Sequence, residues 1–130
     1  PMAMCYLQHL CDGEGRDLQI SSAGVAALVG HAADDQACLL MKEKGMNIDG
    51  HRAQQLSATL ASQYDLILVM EQGHVHAVTD IAPQTRGRVH LLGKWHGNEE
   101  IADPYKQSEA HFRAAWSAIE RNTTLWKKYL

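Results

Sequence analysis

The stretch Asp65-Leu66-Ile67-Leu68-Val69-Met70 decides the fold class of this chain. Its five apolar residues are continuous, lie between Asp65 and Glu71, and form a run too short for a buried helix. Such a run predicts a strand buried on both faces, which is typical of a parallel sheet covered by helices. Val89 to Leu92 is a second largely apolar run, and it predicts a second strand.

Outside these two runs, the sequence predicts one more strand and five helices. The strand covers residues 18–24, where Leu18 and Ile20 lead into a run of small residues and a tight turn. The helices cover residues 2–10, 34–44, 57–63, 74–81 and the chain from 108 onward. The first helix is expected to begin with Pro1 as its first residue. Asp34 or Asp35, Ser57 and Ser108 are the predicted N-caps of later helices. Gly45 and Pro83 are predicted to end the second and the fourth helix.

The alternation of strands and helices favours a doubly wound α/β fold, with helices on both faces of a parallel sheet. The 130 residues suit a single domain. On the last helix, residues at three- and four-residue steps predict a core-facing stripe, made of Phe112, Trp116, Ile119, Thr123 and Trp126. Ligands of such folds bind beyond the carboxyl ends of the strands, where residues 21–24, residues 71–74 and the loop after Leu92 are expected.

Composition and charge exclude several classes of partner. Lysine and arginine number 12 against 15 acidic residues, so the net charge of −3 argues against a nucleic-acid ligand. No apolar run approaches the roughly 18 residues of a membrane span. Three cysteines without a C-x-x-C motif favour reduced thiols and a cytoplasmic protein without cofactor. The scattered histidines, among them His74, His76, His90 and His96, have no metal-ligand spacing, so no metal is expected.

The tripeptide Asp103-Pro104-Tyr105 is the strongest candidate for chemistry. Pro104 fixes its own φ and keeps Asp103 out of the helical region, so the carboxyl group lies on stiff, extended backbone beside an aromatic ring. This arrangement suits a positioned general acid, and it equally suits a simple turn. The residues alone leave both readings open.

Five segments in order resemble the low-molecular-weight protein tyrosine phosphatases, and the likeness extends over the whole chain. They are Ser21-Ser22-Ala23-Gly24, Leu28-Val29-Gly30-His31, Gly50-His51, the stretch from Tyr64 to Glu71, and Ile101-Ala102-Asp103-Pro104-Tyr105. The resemblance is nearest to the bacterial enzymes of capsule and exopolysaccharide production, which act on a tyrosine autokinase. It implies a phosphatase that uses a cysteinyl-phosphate intermediate and a four-stranded parallel sheet.

The resemblance also implies roles for individual residues. Asp103 would be the general acid and then the general base, and Tyr105 would stack on the substrate ring. Leu28 would face the substrate. Ser22 and His51 would brace the loop that carries the nucleophile. The implied protein partner is a phosphotyrosine substrate, namely a bacterial autokinase.

The family's C-x5-R-S-P motif joins its first, central strand to its first helix, and Pro1-Met2-Ala3 resembles the start of that helix. The nucleophilic cysteine and phosphate-binding arginine are therefore expected before Pro1, outside the given chain. Without that strand the sheet is incomplete, and there are three ways to complete it. Additional residues precede Pro1, a second copy exchanges a strand in a dimer, or the domain rearranges around the gap. Additional residues before Pro1 are the expected solution.

Three alternatives accompany the phosphatase reading. Cys11 and Arg16 form C-x4-R, which fits a helix-ending turn better than an anion site. Arsenate reduction on the same scaffold needs late cysteines, and none follows Cys38. A catalytically dead domain that binds phosphotyrosine or a partner protein is the main functional alternative.

Overall fold

The computed structural model describes residues 1–130 and contains five α-helices, one 3₁₀ turn and two strands. In chain order they are α1 (Met2–Gly13), α2 (Asp35–Glu43), α3 (Ala58–Ser62), β1 (Ile67–Val69), α4 (Gln72–Ile81), the 3₁₀ turn (Pro83–Thr85), β2 (Val89–Leu91) and α5 (Glu109–Lys127). None of these helices has both the length and the apolar character that crossing a lipid bilayer requires.

The two strands lie where the apolar runs predicted them, and they pair in parallel. Ile67 is in register with Val89, and Val69 with Leu91. Helix α4 connects them and packs against both strands. On the other face, Leu66, Leu68 and Met70 pack against a core that includes α2, α5 and Met2 at the start of α1. The α/β fold with a parallel sheet is therefore confirmed.

The sheet is smaller than expected, because the segment 18–24 does not pair as a strand. Only Gly24 forms an isolated parallel bridge, and its partner is Gln55 rather than β1. A strand needs a neighbour for its backbone groups, and no chain segment in residues 1–130 pairs with the edge of β1 that faces away from β2. Residues 1–130 thus supply two strands where three were expected, and β1 is half-buried instead of buried on both faces.

The helix limits follow the predicted caps closely. The Asp34 and Ser57 side chains accept backbone N–H bonds from Gln36 and Leu60, and the Ser108 side chain accepts one from His111. Helix α1 is three residues longer than predicted, and Pro1 lies just before it instead of inside it. The predicted stripe of α5 is buried, with Trp116 and Trp126 each only 4% exposed. Local cap chemistry and helical periodicity are enough to define these elements.

Gly93 has no space for a side chain, and we expect Gly93→Ala to destabilise the fold by roughly 3 kcal/mol. Gly93 is buried and forms an antiparallel bridge with Glu99. An added Cβ would lie 2.0 Å from the Glu99 carbonyl oxygen, so the backbone must move. Urea unfolding measures the change. Gly73→Ala in α4, where a Cβ meets no atom within 4 Å, is the matched control and should be neutral or stabilising. Equal stability of the two variants would contradict the prediction.

Candidate active site

The loop that carries Asp103 follows β2 and is anchored at the carboxyl end of β1. The Ile101 amide donates to the Met70 carbonyl over 2.9 Å, and the Ile101 side chain is buried in the core. One residue earlier, a Glu100 carboxylate oxygen accepts a bond from the Gln72 amide at the start of α4. Asp103 follows two residues after this anchor, at the edge of the sheet where ligands of doubly wound folds bind.

Asp103 is exposed, and its only hydrogen bond lies within its own turn. Its Oδ1 accepts from the Tyr105 amide over 2.9 Å, which is an Asx turn. The chain then closes a second turn, in which the Gln107 amide donates to the Pro104 carbonyl. The Tyr105 ring is 47% exposed, with the Lys106 ammonium 5.5 Å from its centre. A carboxylate oxygen and an aromatic ring are therefore available to a ligand.

The Asp103 loop and His51 both lie near the N-terminal end of α1. Ile101, two residues before Asp103, shares a buried core with Met2, and His51 lines the same groove as Met4 and Cys5. Burial is the main cause that lowers the pKa of His51, and the positive charge of Arg52 lowers it further. The start of a helix presents free N–H groups and a partial positive charge. An acid and an imidazole thus lie near an anion-attracting helix end.

His51 belongs to a braced loop beside α1. Its amide donates to the Ile48 carbonyl, and the Arg52 guanidinium donates to the carbonyls of Asp49 and His51. A groove of about 510 Å³ separates this loop from the helix. The residues that line the groove include Met4, Cys5, Asn47, Gly50 and His51. The half-buried His51 therefore lines one wall of this groove, and the first turns of α1 line another.

Ser22 and Leu28 lie on the loop before α2. The Ser22 carbonyl accepts from the Gln54 side chain over 2.9 Å, whereas no hydrogen bond joins the Ser22 hydroxyl to Asp103 or His51. Leu28 is 53% exposed and its neighbour Val29 is 67% exposed. Two exposed apolar side chains in succession suit contact with a ligand. The roles of Ser22 and Leu28 stay predictions.

Gln55 is a supporting residue that the sequence did not indicate. Its side-chain oxygen accepts from the Ala27 amide over 3.0 Å, and its side-chain nitrogen donates to the Val25 carbonyl over 2.9 Å. Gln55 therefore holds the loop that presents Leu28. No local pattern marks such a residue, because its partners lie about thirty positions earlier in the chain.

The environments of the three cysteines within residues 1–130 do not suit a reactive thiolate at an open site. Burial raises the pKa of Cys5 and of Cys38, and Cys11 is fully buried. The Arg16 guanidinium donates to the backbone carbonyls of Lys127 and Leu130 at the end of α5. The C-x4-R segment is therefore a helix-ending turn, as predicted, and no phosphate-binding loop.

Glu99 is the centre of a polar cluster just before the Asp103 loop, and the sequence reading missed it. Its carboxylate accepts from the Arg121 guanidinium over 2.6 and 2.8 Å and lies 2.6 Å from His96 Nδ1. The Asn122 side chain donates to it over 3.3 Å. Asn122 was the available signal, since it is an amide on the buried face of an amphipathic helix. The Arg121 hydrogen bond is the main cause that lowers the pKa of Glu99 to about 2.

This shift predicts that Glu99 contributes stability at neutral pH and loses it in acid. Because the folded pKa of about 2 lies below the ordinary value of 4.5, the contribution is present above pH 4.5 and declines as the pH falls toward 2. Urea unfolding of the native protein and of Glu99→Gln should therefore differ most at pH 7 and converge near pH 2. Glu120→Gln, which changes an exposed glutamate of α5 without an ion pair, is the control. A difference that is independent of pH would contradict the prediction.

The comparisons with known proteins agree with this geometry. The family described as low molecular weight phosphotyrosine protein phosphatase matches residues 1–130. A putative low molecular weight protein-tyrosine-phosphatase of Klebsiella pneumoniae is 38% identical over the whole chain, which covers 88% of that protein. Low molecular weight protein-tyrosine-phosphatase Wzb of Salmonella typhimurium is 42% identical over 113 residues, which are 87% of this chain and 76% of the relative.

Solved structures show the same likeness in three dimensions. Wzb of Vibrio vulnificus, in complex with benzylphosphonate, is 42% identical with a TM-score of 0.93, and the match covers all of this chain and 89% of that one. The tyrosine phosphatase AmsI of Erwinia amylovora is 38% identical with a TM-score of 0.93, over all of this chain and 83% of that one. The chain therefore belongs to the low molecular weight phosphotyrosine protein phosphatase family.

Proposed function

We propose that this chain provides the general acid, the substrate contacts and the loop supports of a phosphotyrosine phosphatase that uses a cysteinyl-phosphate intermediate. The observation that carries the proposal is that the anchor of the Asp103 loop, Ile101, lies at the carboxyl end of the sheet and shares one buried core with Met2 at the N-terminal end of α1. A phosphate group bound at that helix end would lie beside the acid. The thiolate and the phosphate-binding arginine would come from a C-x5-R-S segment that precedes Pro1.

In the first step the thiolate attacks phosphorus, and the bond between phosphorus and the tyrosyl oxygen breaks. Asp103 gives its proton to that leaving oxygen, so no tyrosinate has to leave as an anion. In the second step the Asp103 carboxylate takes a proton from water while the water oxygen attacks phosphorus. The phosphorus–sulfur bond then breaks, inorganic phosphate leaves, and the thiolate is restored. Asp103 ends protonated and ready for the next substrate.

The neighbouring residues suit supporting roles. His51 would brace the nucleophile loop from its position beside α1, and the Ser22 hydroxyl, which has no partner within the protein, would do so from the other side. Tyr105 and Leu28 would contact the substrate ring. The Vibrio vulnificus relative in complex with benzylphosphonate supports this assignment, because that ligand places an aromatic ring next to a phosphonate group.

Hydrolysis by a longer protein, in which a C-x5-R-S segment precedes Pro1, tests the proposal. We expect phosphotyrosine peptides to be dephosphorylated in preference to phosphoserine peptides. A tyrosine side chain is long enough to place its phosphate at the helix end while its ring contacts Tyr105, whereas a serine side chain is shorter and has no ring. A peptide from a bacterial tyrosine autokinase is the proposed physiological type of substrate, in the cytoplasm. Equal rates on phosphoserine and phosphotyrosine would contradict the assignment.

Tyr105→Ala should raise KM for phosphotyrosine about 2- to 10-fold and leave kcat nearly unchanged, because it removes a ring contact worth roughly 0.5–1.5 kcal/mol. Steady-state kinetics of the longer protein measure the effect. Tyr129→Ala, which removes another exposed tyrosine, just after the end of α5, is the control. An unchanged KM would remove Tyr105 from the substrate site.

A binding role is the second candidate, because the exposed side chains of Asp103, Tyr105 and Leu28 would also serve a site that only binds phosphotyrosine. A dead domain of this type would retain phosphotyrosine peptides without turnover. The open edge of β1 also suits a strand-exchanged dimer, which native mass spectrometry of residues 1–130 would detect. Peptide binding without any hydrolysis by the longer protein would favour the dead domain over the enzyme.

A further inference from the structure

The position of Asp103 must be set from the two ends of its loop. Its carboxylate bonds only to the amide of Tyr105, so no contact outside its own turn holds it. After the turn, the Gln36 side chain donates to the Gln107 carbonyl over 3.3 Å, and the chain enters α5 with Ser108 as its N-cap. Ser108 lies five residues after Asp103, whereas Ile101 lies only two residues before it. The anchor before Asp103 is therefore the nearer constraint on its position.

That anchor contains the Glu99 cluster. Glu99 reaches α5 through the Arg121 guanidinium and through Asn122, whose side chain is fully buried and also donates to the Ala118 carbonyl over 2.8 Å. The Glu99 amide donates to the Gly93 carbonyl, and the two backbones approach so closely that a Cβ on Gly93 would lie 2.0 Å from the Glu99 carbonyl oxygen. Hydrogen bonds of its side chain to α5 and of its amide to Gly93 thus hold Glu99 in place.

From Glu99 the chain runs directly to the acid. Glu100 bonds the first amide of α4, and Ile101 bonds the end of β1. Only Ala102 separates this anchored segment from Asp103. A small shift of the segment would therefore move the carboxyl group relative to the N-terminal end of α1, and misplacement by about 1 Å can cost a factor of about 100 in rate.

We propose that the Glu99–Arg121 pair is a positioning device for the general acid, and that it sets how well Asp103 protonates the leaving oxygen. The inference rests on the proposed function of Asp103 and extends it to two residues that touch neither substrate nor nucleophile. A residue that acts only through Asp103 affects poor leaving groups most, since good leaving groups depart with little help from an acid.

The test uses the longer protein with the C-x5-R-S segment, and compares phenyl phosphate with p-nitrophenyl phosphate. Phenol is the poorer leaving group. The quantity compared is kcat/KM, which reports the first step alone, because Asp103 also activates water in the second step that both substrates share. Glu99→Gln should lower kcat/KM for phenyl phosphate about tenfold and change kcat/KM for p-nitrophenyl phosphate by less than about twofold, and Arg121→Gln should do the same. Assays run well below the unfolding midpoint of each variant, so that all proteins are folded.

Glu43→Gln is the matched control. It breaks an arginine–carboxylate pair of the same kind, between Glu43 and Arg113, which joins α2 to α5 without touching the Asp103 loop. We expect this variant to keep the native ratio of the two rates. If Glu99→Gln lowers kcat/KM for both substrates equally, Glu99 does not act through the proton donor and the inference is overturned.

Asp103→Asn in the same protein distinguishes failure of the positioning role of Glu99 from failure of the acid role of Asp103. If it lowers the phenyl phosphate rate selectively while Glu99→Gln does not, Asp103 is the acid and the positioning role is wrong. If Asp103→Asn changes neither rate, the proposed function itself fails. Hydrogen exchange of the Tyr105 amide gives an independent readout, and faster exchange in Glu99→Gln than in Glu43→Gln is the expected result.

Discussion

Asp103→Asn should lower kcat for phosphotyrosine about 10²–10⁴-fold in the protein that carries the C-x5-R-S segment. Asparagine retains the side-chain oxygen that accepts the Tyr105 amide, so the turn is kept. It cannot donate a proton to the leaving oxygen or take one from water. KM should change little, because a phosphate at the helix end does not depend on that proton. Steady-state kinetics across pH measure both quantities.

A matched control separates the role of Asp103 from a general effect of removing one carboxylate. Asp17→Asn is the control, since it changes an exposed acid after the far end of α1, about 18 Å along the helix from Pro1. A native rate for Asp103→Asn would exclude this residue from the mechanism.

Residues 1–130 alone should show no measurable hydrolysis of p-nitrophenyl phosphate, whereas the chain joined to a C-x5-R-S segment before Pro1 should turn over. The expected difference is large, because removal of a nucleophile can cost about 10⁶ in rate. The structure supports this expectation, since burial raises the pKa of Cys5, the cysteine in the first turns of α1. A protonated, half-buried thiol is a poor nucleophile.

The decisive experiment replaces the cysteine of the C-x5-R-S segment with serine in the longer protein. That variant should keep the folded circular dichroism spectrum and bind a phosphotyrosine peptide, but it should not release phosphate. The result would separate loss of the nucleophile from loss of the fold. Turnover by residues 1–130 at the rate of the longer protein would contradict the expected position of the nucleophile, and Cys5→Ser would then identify the thiol that acts.

Much of the fold could be predicted from local patterns. The apolar run before Glu71 contains β1, and Asp34, Ser57 and Ser108 begin the helices that follow them. The stripe on α5 is buried as its spacing predicts. These features depend on cap hydrogen bonds and on periodicity, which involve residues within about four positions of one another.

The segment 18–24 shows where local reading ends. Its residues have the pattern of a strand, yet the backbone pairs only at Gly24. Strand formation requires the N–H and C=O groups of a neighbour, and the presence of that neighbour is a property of the whole sheet. The number of strands could therefore not be derived from the pattern of this segment.

By itself, the sequence determined the α/β class, the helix limits, the buried stripe and the place of the Asp103 loop beyond a strand. Only the tertiary structure decided which distant groups meet. The Asp103 loop and His51 lie near the start of α1, and Glu99 binds Arg121, across separations of 22 to about 100 residues. Such contacts depend on how the packed helices and the sheet are oriented in space, and no short-range spacing in the chain contains that information.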